Sequence, residues 1–364
     1  MLKNVSIEIE NLYKEYQKKS RKVVALDNIS LNIKEGEFIG ILGPNGAGKT
    51  TLTKILTTLI LPTSGEAYIN DIPIRDDKKI RNMVGSVFGE TGGRSLYYRL
   101  SVEDNLLFYS SLSGLNKTTA KKRISSLLSY FDLEDKRKTL VMKLSTGMKA
   151  KILLIRALVP FPQVLLLDEP TLGFDAESSE KAKDLLNEFN REFGTTILLT
   201  SHNFPEIDEL TSRLILIDKG KIVQDCEPSM FKQTAVQECV HLIFSLPPLP
   251  QDGFGMSKLP TEIFKQLVRD SAGADILSLK EKDSFNFVYE ATIQPKEFSL
   301  NDTISRLTIL ILRASGEIFK IAPYMPSLKE SFLAFLALNK KEKNTYTEKG
   351  IEEIFTFPMQ EEDV

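Results

Sequence analysis

Gly43-Pro44-Asn45-Gly46-Ala47-Gly48-Lys49-Thr50 decides the fold of this chain. The octet fits the phosphate-binding pattern G-x-x-x-x-G-K-[ST], which predicts its own surroundings. A strand should lead in, and Glu37-Phe38-Ile39-Gly40-Ile41-Leu42 is apolar enough to be one. A helix should lead out, and Thr50 to Ile60 runs without Pro or Gly. Glycines at 43, 46 and 48 let the backbone fold tightly, so that its N–H groups point into one concavity. Pro44, Asn45 and Ala47 complete the cradle, and Thr51 follows it into the helix. The helix adds its unpaired N-terminal N–H groups and the positive end of its dipole. Lys49 supplies a point charge for the β- and γ-phosphates, and the Thr50 hydroxyl is placed to ligate Mg²⁺.

The 364 residues suggest about two domains. Apolar residues make up 42% and charged residues 26%, as in a soluble globular protein. Lys and Arg total 47 against 49 Asp and Glu, so no basic field points to nucleic acid. Two cysteines, Cys226 and Cys239, offer no disulfide framework, and a reducing compartment is expected. No leader is visible in the polar first 20 residues, and no apolar run approaches the roughly 20 residues that span a bilayer. Any membrane role therefore needs another chain to do the spanning.

The first 230 or so residues alternate short β-rich runs with helical patterns, which reads as α/β. Strands are expected at Val5–Ile9, Val23–Ile33, Glu37–Leu42, Glu66–Ile69, Gly85–Phe88, Val164–Leu167, Thr196–Leu199, Arg213–Asp218 and Lys221–Asp225. Residues 101–158 read as a helical insert. After residue 234 the texture changes. Strand Glu238–Phe244, helix Thr261–Arg269, strands Asp275–Leu279 and Ser284–Ile293, helix Leu300–Ser315 and strand Glu317–Ile321 give the order β-α-β-β-α-β, a small ferredoxin-like α+β domain. Ile304, Leu307, Ile311 and Ala314 share one face of the 300–315 helix, with Gly316 as its stop. Ser327 with Glu330 forms a capping box before Phe332–Leu338. The expected division is a nucleotide-binding domain at 1–234, an accessory domain at 235–338, and a charged tail at 339–364.

Val164-Leu165-Leu166-Leu167-Asp168-Glu169 is an apolar strand that stops at paired carboxylates. That places them at the carboxyl edge of an α/β sheet, where such sheets hold ligands. Asp168 suits Mg²⁺, and Glu169 suits polarising an attacking water. His202 follows another apolar strand and could meet a γ-phosphate or hold that water. His241 sits in an apolar run and reads as packing.

In these residues the chain resembles the nucleotide-binding subunit of an ATP-binding cassette (ABC) transporter. Leu144-Ser145-Thr146-Gly147-Met148 is similar to the family signature Leu-Ser-Gly-Gly-Gln, shortly before the acidic strand. Gly173-Phe174-Asp175 resembles the loop that couples two sites, with Asp175 as its acid. Thr200-Ser201-His202 resembles the switch histidine, and Tyr16 matches the aromatic that stacks on adenine, with Tyr13 as the alternative. The switch glutamine should follow Val84-Gly85-Ser86-Val87. Here Phe88-Gly89-Glu90 continues instead, so Glu90 stands in as a metal ligand, or Gly89 occupies the position. The resemblance covers residues 3 to about 230.

It implies a RecA-like P-loop core with an antiparallel β-subdomain and a helical signature subdomain at about 93–160. It implies ATP and Mg²⁺ as cofactors, with Lys49, Glu169 and His202 acting in hydrolysis, and with Ser145 and Gly147 contacting the γ-phosphate of a second cassette. The partners implied are a polytopic membrane-spanning subunit and a second copy or a paralogous cassette, at the cytoplasmic face of a bacterial membrane. The Thr-Gly-Met signature, the run from Gly93 to Asn105, and Pro326–Leu333 look like the stand-alone ATPases of exporters. The rival readings are a soluble ribosome- or DNA-associated ATPase and an importer subunit.

Overall fold

The computed structural model describes residues 5–18, 21–89, 96–235, 239–246, 249–250, 256–257, 261–283 and 286–341. Glu90 and the tail beyond residue 341 lie outside them. Contacts divide the chain into two compact units, Met1–Pro228 and Ser229–Val364.

The strands of the first unit are β1 (Val5–Lys18), β2 (Arg21–Lys34), β3 (Phe38–Leu42), β4 (Ser64–Ile69), β5 (Ile72–Pro73), β6 (Val84–Phe88), β7 (Val164–Asp168), β8 (Thr196–Thr200), β9 (Arg213–Asp218) and β10 (Lys221–Cys226). Its helices are α1 (Lys49–Leu56), α2 (Asp77–Met83), α3 (Val102–Leu112), α4 (Lys117–Tyr130), α5 (Thr146–Leu158), α6 (Ala176–Phe193) and α7 (Phe204–Leu210). One sheet is antiparallel, in the order β2-β1-β4-β5. The other runs β10-β9-β3-β8-β7-β6 and is parallel except at its β10 edge. Every residue of β3, β7 and β8 is buried. Continuous apolar runs are what a parallel strand covered on both faces requires. Ile7 and Ile33 of the antiparallel sheet, Leu52 and Ile55 of α1, and Ile41 and Leu166 of the parallel sheet join in one hydrophobic cluster. Truncating Leu166, fully buried there, to alanine would cost about 2–5 kcal/mol.

Parallel register fixes where the site forms. Phe88 lies beside Asp168, Asp168 beside Thr200, and Thr200 beside Ile41. The carboxyl ends of four strands therefore share one edge, and the Gly43–Gly48 loop leaves from it.

Some elements end elsewhere than the sequence pattern suggests. β1 continues past Ile9 to Lys18, because a bulge with Asn11 in the left-handed region (φ 48°) lets pairing with β2 resume. α1 closes at Leu56 rather than Ile60, where Thr58 turns left-handed and Leu59 N–H bonds the Lys54 carbonyl. The helical insert holds α3, α4 and α5, with two short 3₁₀ turns between the last two.

α8 (Pro228–Ala235) begins at the boundary, and the second unit continues with β11 (Cys239–Ser245), β12 (Leu249–Pro250), β13 (Met256–Ser257), α9 (Thr261–Ala272), β14 (Ala274–Asp283), β15 (Val288–Pro295), α10 (Leu300–Arg313), β16 (Glu317–Tyr324) and α11 (Leu328–Lys341). The antiparallel order β14-β15-β11-β16, with α9 and α10 as crossovers, is the ferredoxin-like arrangement. Val240, Leu242 and Phe244 meet Phe264, Val268, Leu307 and Ile311 in its core. Ala314, expected on the buried face of α10, is exposed because the helix ends at Arg313. The left-handed residue that stops it is Ser315 (φ 54°), one before Gly316. The capping box is present. Ser327 Oγ accepts from Glu330 N–H at 3.3 Å, and Glu330 Oε2 accepts from Ser327 N–H at 2.8 Å.

Candidate active site

β3 delivers the phosphate-type loop, and the loop is shaped by glycine. Gly46 has φ 80° and Gly48 φ 116°, both in the region glycine alone enters freely. A Cβ on Gly48 would also collide with the Ala25 carbonyl oxygen. Lys49, 8% exposed, folds back into the loop and donates to the Gly43 carbonyl at 2.5 Å and the Pro44 carbonyl at 3.2 Å. Burial pushes its ammonium below the ordinary lysine value, while the nearby carboxylates of Glu169 and Asp168 pull it back up.

Asp168 ends β7 with its carboxylate 4% exposed and both oxygens engaged. Oδ2 accepts from the Thr50 hydroxyl at 2.8 Å, and Oδ1 accepts from the Thr200 hydroxyl. Glu169 is left-handed (φ 54°), an uncommon conformation for a residue with a side chain, and its N–H bonds the Thr200 carbonyl at 2.9 Å. The turn aims the carboxylate at His202. Oε2 accepts from the His202 N–H at 3.2 Å, and the His202 Nε2 lies 3.5 Å from Oε1. Burial raises the Glu169 carboxyl above its ordinary value, opposed by the His202 amide and ring. Gly89 follows β6 and packs against this turn, where a Cβ would sit 2.8 Å from Glu169 Cβ and 3.1 Å from its carbonyl oxygen. Glu90, the stand-in expected for the switch position, lies outside the described residues.

Between these parts lies a cavity of about 660 Å³. Asn45 to Thr51, with Ala25 and Lys54, line one side, and Asp168, Glu169, Leu172 and His202 line the other. The arrangement brings together two cations (Lys49 and Lys54), two carboxylates, an imidazole and the glycine-rich loop. That set can bind and polarise a polyphosphate and orient a water, but it offers no nucleophilic side chain.

Other expected residues stand apart from this cavity. Tyr16 is 39% exposed on β1, with Lys14 Nζ 5.1 Å from its ring centroid, and is not part of the lining. The alternative, Tyr13, is half-buried and its hydroxyl meets Glu15. Ser145 caps α5, accepting from Met148 N–H at 3.2 Å, and also lies outside the lining. Gly147 touches the loop after β7, since a Cβ there would lie 2.7 Å from the Gly173 carbonyl oxygen. Asp175 caps α6 through Ser178 N–H and hydroxyl, both at 2.8 Å, and these bonds hold its carboxyl down to about 2. The sequence did not reveal that Thr200 holds Asp168, that Ala25 and Leu172 line the cavity, or that Gly89 buttresses Glu169. A polar residue ending an apolar strand was the one available signal for Thr200.

Among the described residues no group of three or more His, Cys, Asp or Glu side chains is arranged to hold a metal by itself. Mg²⁺ does not need such a cage, because it takes one or two protein ligands and completes its shell with phosphate oxygens and water. The Thr50 hydroxyl and the Asp168 carboxylate, already in contact, fit that requirement.

The family model described as "ABC transporter" matches residues 26–172. The ABC transporter ATP-binding protein NatA of Bacillus subtilis is 34% identical over 219 residues, which are 60% of this chain and 87% of that protein. This chain belongs to the ABC transporter ATP-binding family. Its cassette is also 38% identical to the doxorubicin resistance ATP-binding protein DrrA of Mycobacterium tuberculosis, over 64% of this chain and 69% of DrrA. It is 33% identical to the methionine import ATP-binding protein MetN 1 of Oceanobacillus iheyensis, over 60% of this chain and 65% of MetN 1. Among solved structures, a dimeric post-hydrolysis state of the ATP-binding cassette MJ0796, bound to ADP and Pi, matches with a TM-score of 0.56 and 30% identity. That match covers 61% of this chain and 98% of MJ0796. The ABC cassette is a P-loop ATPase, and it binds ATP as a subunit of a transporter. No helix among the described residues is long and apolar enough to cross a membrane.

Proposed function

We propose that this cassette powers export through a separate membrane-spanning subunit, by ATP-driven closing of two cassettes head to tail. The observation that carries the reading is the incomplete cavity. The loop, Asp168, Glu169 and His202 line it, while the signature residues Ser145 and Gly147 do not. A second cassette, a copy or a paralogue, would bring its own Ser145 and Gly147 to the γ-phosphate. ATP is then a ligand with higher affinity for the closed pair, and hydrolysis removes that bias.

Within each site, Lys49 and the loop N–H groups hold the phosphates. Thr50 and Asp168 would hold Mg²⁺, which when bound neutralises charge on the transferring phosphoryl group. Glu169 takes a proton from the attacking water, and His202 holds the γ-phosphate side of that arrangement. Tyr16, exposed on β1, stacks on adenine. Asp175 ties the coupling loop to α6. Glu90 is a further candidate metal ligand beside Gly89. Residues 235–338 act as an accessory domain, with the charged tail at 339–364 beyond it, and the assembly sits at the cytoplasmic face of a bacterial membrane.

Export is supported by the likeness to DrrA and by the Thr146-Gly147-Met148 signature. The likeness to MetN 1 at similar identity favours import as the second reading. Affinity purification of the tagged chain from solubilised membranes should recover a polytopic membrane protein; ribosomes or DNA in its place would overturn the transport role. Inside-out vesicles carrying that pair should take up cargo with ATP outside if it exports, and should fail to do so if it imports.

A further inference from the structure

α7 carries a buried acid that the chemistry above does not use. Glu206 is 2% exposed. Its carboxylate accepts from the Ser201 hydroxyl at 2.6 Å and from the Thr171 hydroxyl at 3.2 Å. Ser201 Oγ in turn accepts from Asn203 N–H at 3.0 Å. Ser201 and Asn203 flank His202, and Thr171 lies two residues past Glu169. One buried carboxylate thus joins the segment after β8 to the segment after β7. Burying a carboxylate is costly, and it persists where hydroxyl and amide donors satisfy it.

The two segments need such a tie. The His202 side chain is 60% exposed, and its ring faces Glu169 at 3.5 Å with no hydrogen bond to fix it among the described residues. Glu169 is held by its backbone and by one amide, and its Oε1 makes no hydrogen bond. The relative placement of water-activating carboxylate and imidazole therefore depends on how the two segments sit, and a misplacement of about 1 Å can cost about 10²-fold in rate.

We propose that Glu206 is a positioning residue: by holding Ser201 and Thr171 together it fixes His202 against Glu169, so that ATP turnover, and not ATP binding, depends on it. The phosphate loop, which dominates binding, has no bond to Glu206 among the described residues. The inference rests on the ATPase reading of the same site. Glu206→Gln keeps the shape but removes the charge and one of the two acceptor oxygens, so that Ser201 and Thr171 must share the remaining oxygen or turn to accept from the amide N–H₂.

The test is steady-state hydrolysis of Mg·ATP by the full chain, alongside calorimetric ATP binding. In Glu206→Gln, kcat should fall by about 10-fold or more, with KM and ATP affinity within about 2-fold of wild type, the pattern of lost transition-state placement. Thr171→Val should show the same split more weakly and serves if the first variant fails to fold. The double variant should be no worse than Glu206→Gln alone, because both remove one shared contact. Unchanged kcat, additive losses, or parallel losses of kcat, affinity and thermal midpoint would each overturn the clasp. Absent turnover in the wild-type chain would overturn the ATPase reading itself, whereas wild-type turnover with an indifferent Glu206→Gln defeats only the positioning role.

Discussion

Thr200→Val removes one hydroxyl and little else. Valine matches threonine in shape and suits a buried strand, so β8 should keep its packing. What is lost is the bond to Asp168 Oδ1, leaving the Asp168 carboxylate, among the described residues, with the Thr50 hydroxyl at 2.8 Å. Thr200 is 0% and Asp168 4% exposed, so bulk water cannot readily replace the donor. A hydrogen bond to a charged group is worth about 1.5–3 kcal/mol. At about 2–4 °C per kcal/mol for 150–250 residues, the first unit should melt roughly 3–12 °C lower. Thr196→Val is the internal control. It sits on the same strand, 1% exposed, and its hydroxyl accepts from the neutral Gly36 N–H at 3.0 Å. Its loss should cost about 0.5–1.5 kcal/mol. Urea unfolding of both variants, without nucleotide, reads the difference directly. If Thr200→Val costs no more than Thr196→Val, the carboxylate does not depend on that hydroxyl and the reasoning fails.

Three further outcomes are expected. Lys49→Ala should abolish tight ATP binding by calorimetry, and undiminished affinity would contradict the loop's role. Gly89→Ala places a Cβ 2.8 Å from Glu169 Cβ, where neither atom is the free end of a flexible chain, so the glutamate must shift. Turnover should then fall by up to about 10²-fold with ATP binding kept, measured by the same two assays, and a wild-type rate would refute the contact. Cys239 is 1% exposed, and burial pushes its thiol up to about 11, so little thiolate exists at pH 8. Mass spectrometry after iodoacetamide treatment should find it alkylated only once the protein is denatured; labelling of the native chain would show the second unit opens.

What was legible in the sequence is what lies consecutively along it. The loop at Gly43–Thr50 and the acids at 168–169 are short motifs whose spacing states their chemistry. The β-α-β-β-α-β order of the second unit was legible from the succession of β-rich and helical runs, with strands expected at Glu238–Phe244 and Ser284–Ile293 where β11 and β15 stand. Residues that act across the sheet were not legible. Thr200 meets Asp168 only through the parallel register of β7 and β8, and Glu206 reaches Thr171 only because α7 folds back over both strand ends. Backbone conformation was equally hidden at Glu169, where nothing in the neighbouring residues says that the chain turns left-handed. The capping box at Ser327 was visible because its two partners stand three residues apart.

Glu169→Gln tests the site most directly. The amide keeps the size of the side chain and removes its capacity to take a proton. With purified chain and Mg·ATP, kcat should fall by about 10²–10⁴-fold, the range expected when a general base is lost. ATP binding should persist, and light scattering should show an ATP-dependent pair that wild-type protein forms only transiently. Turnover at the wild-type rate would contradict the assignment of Glu169 as the base, and with it the mechanism built on this site.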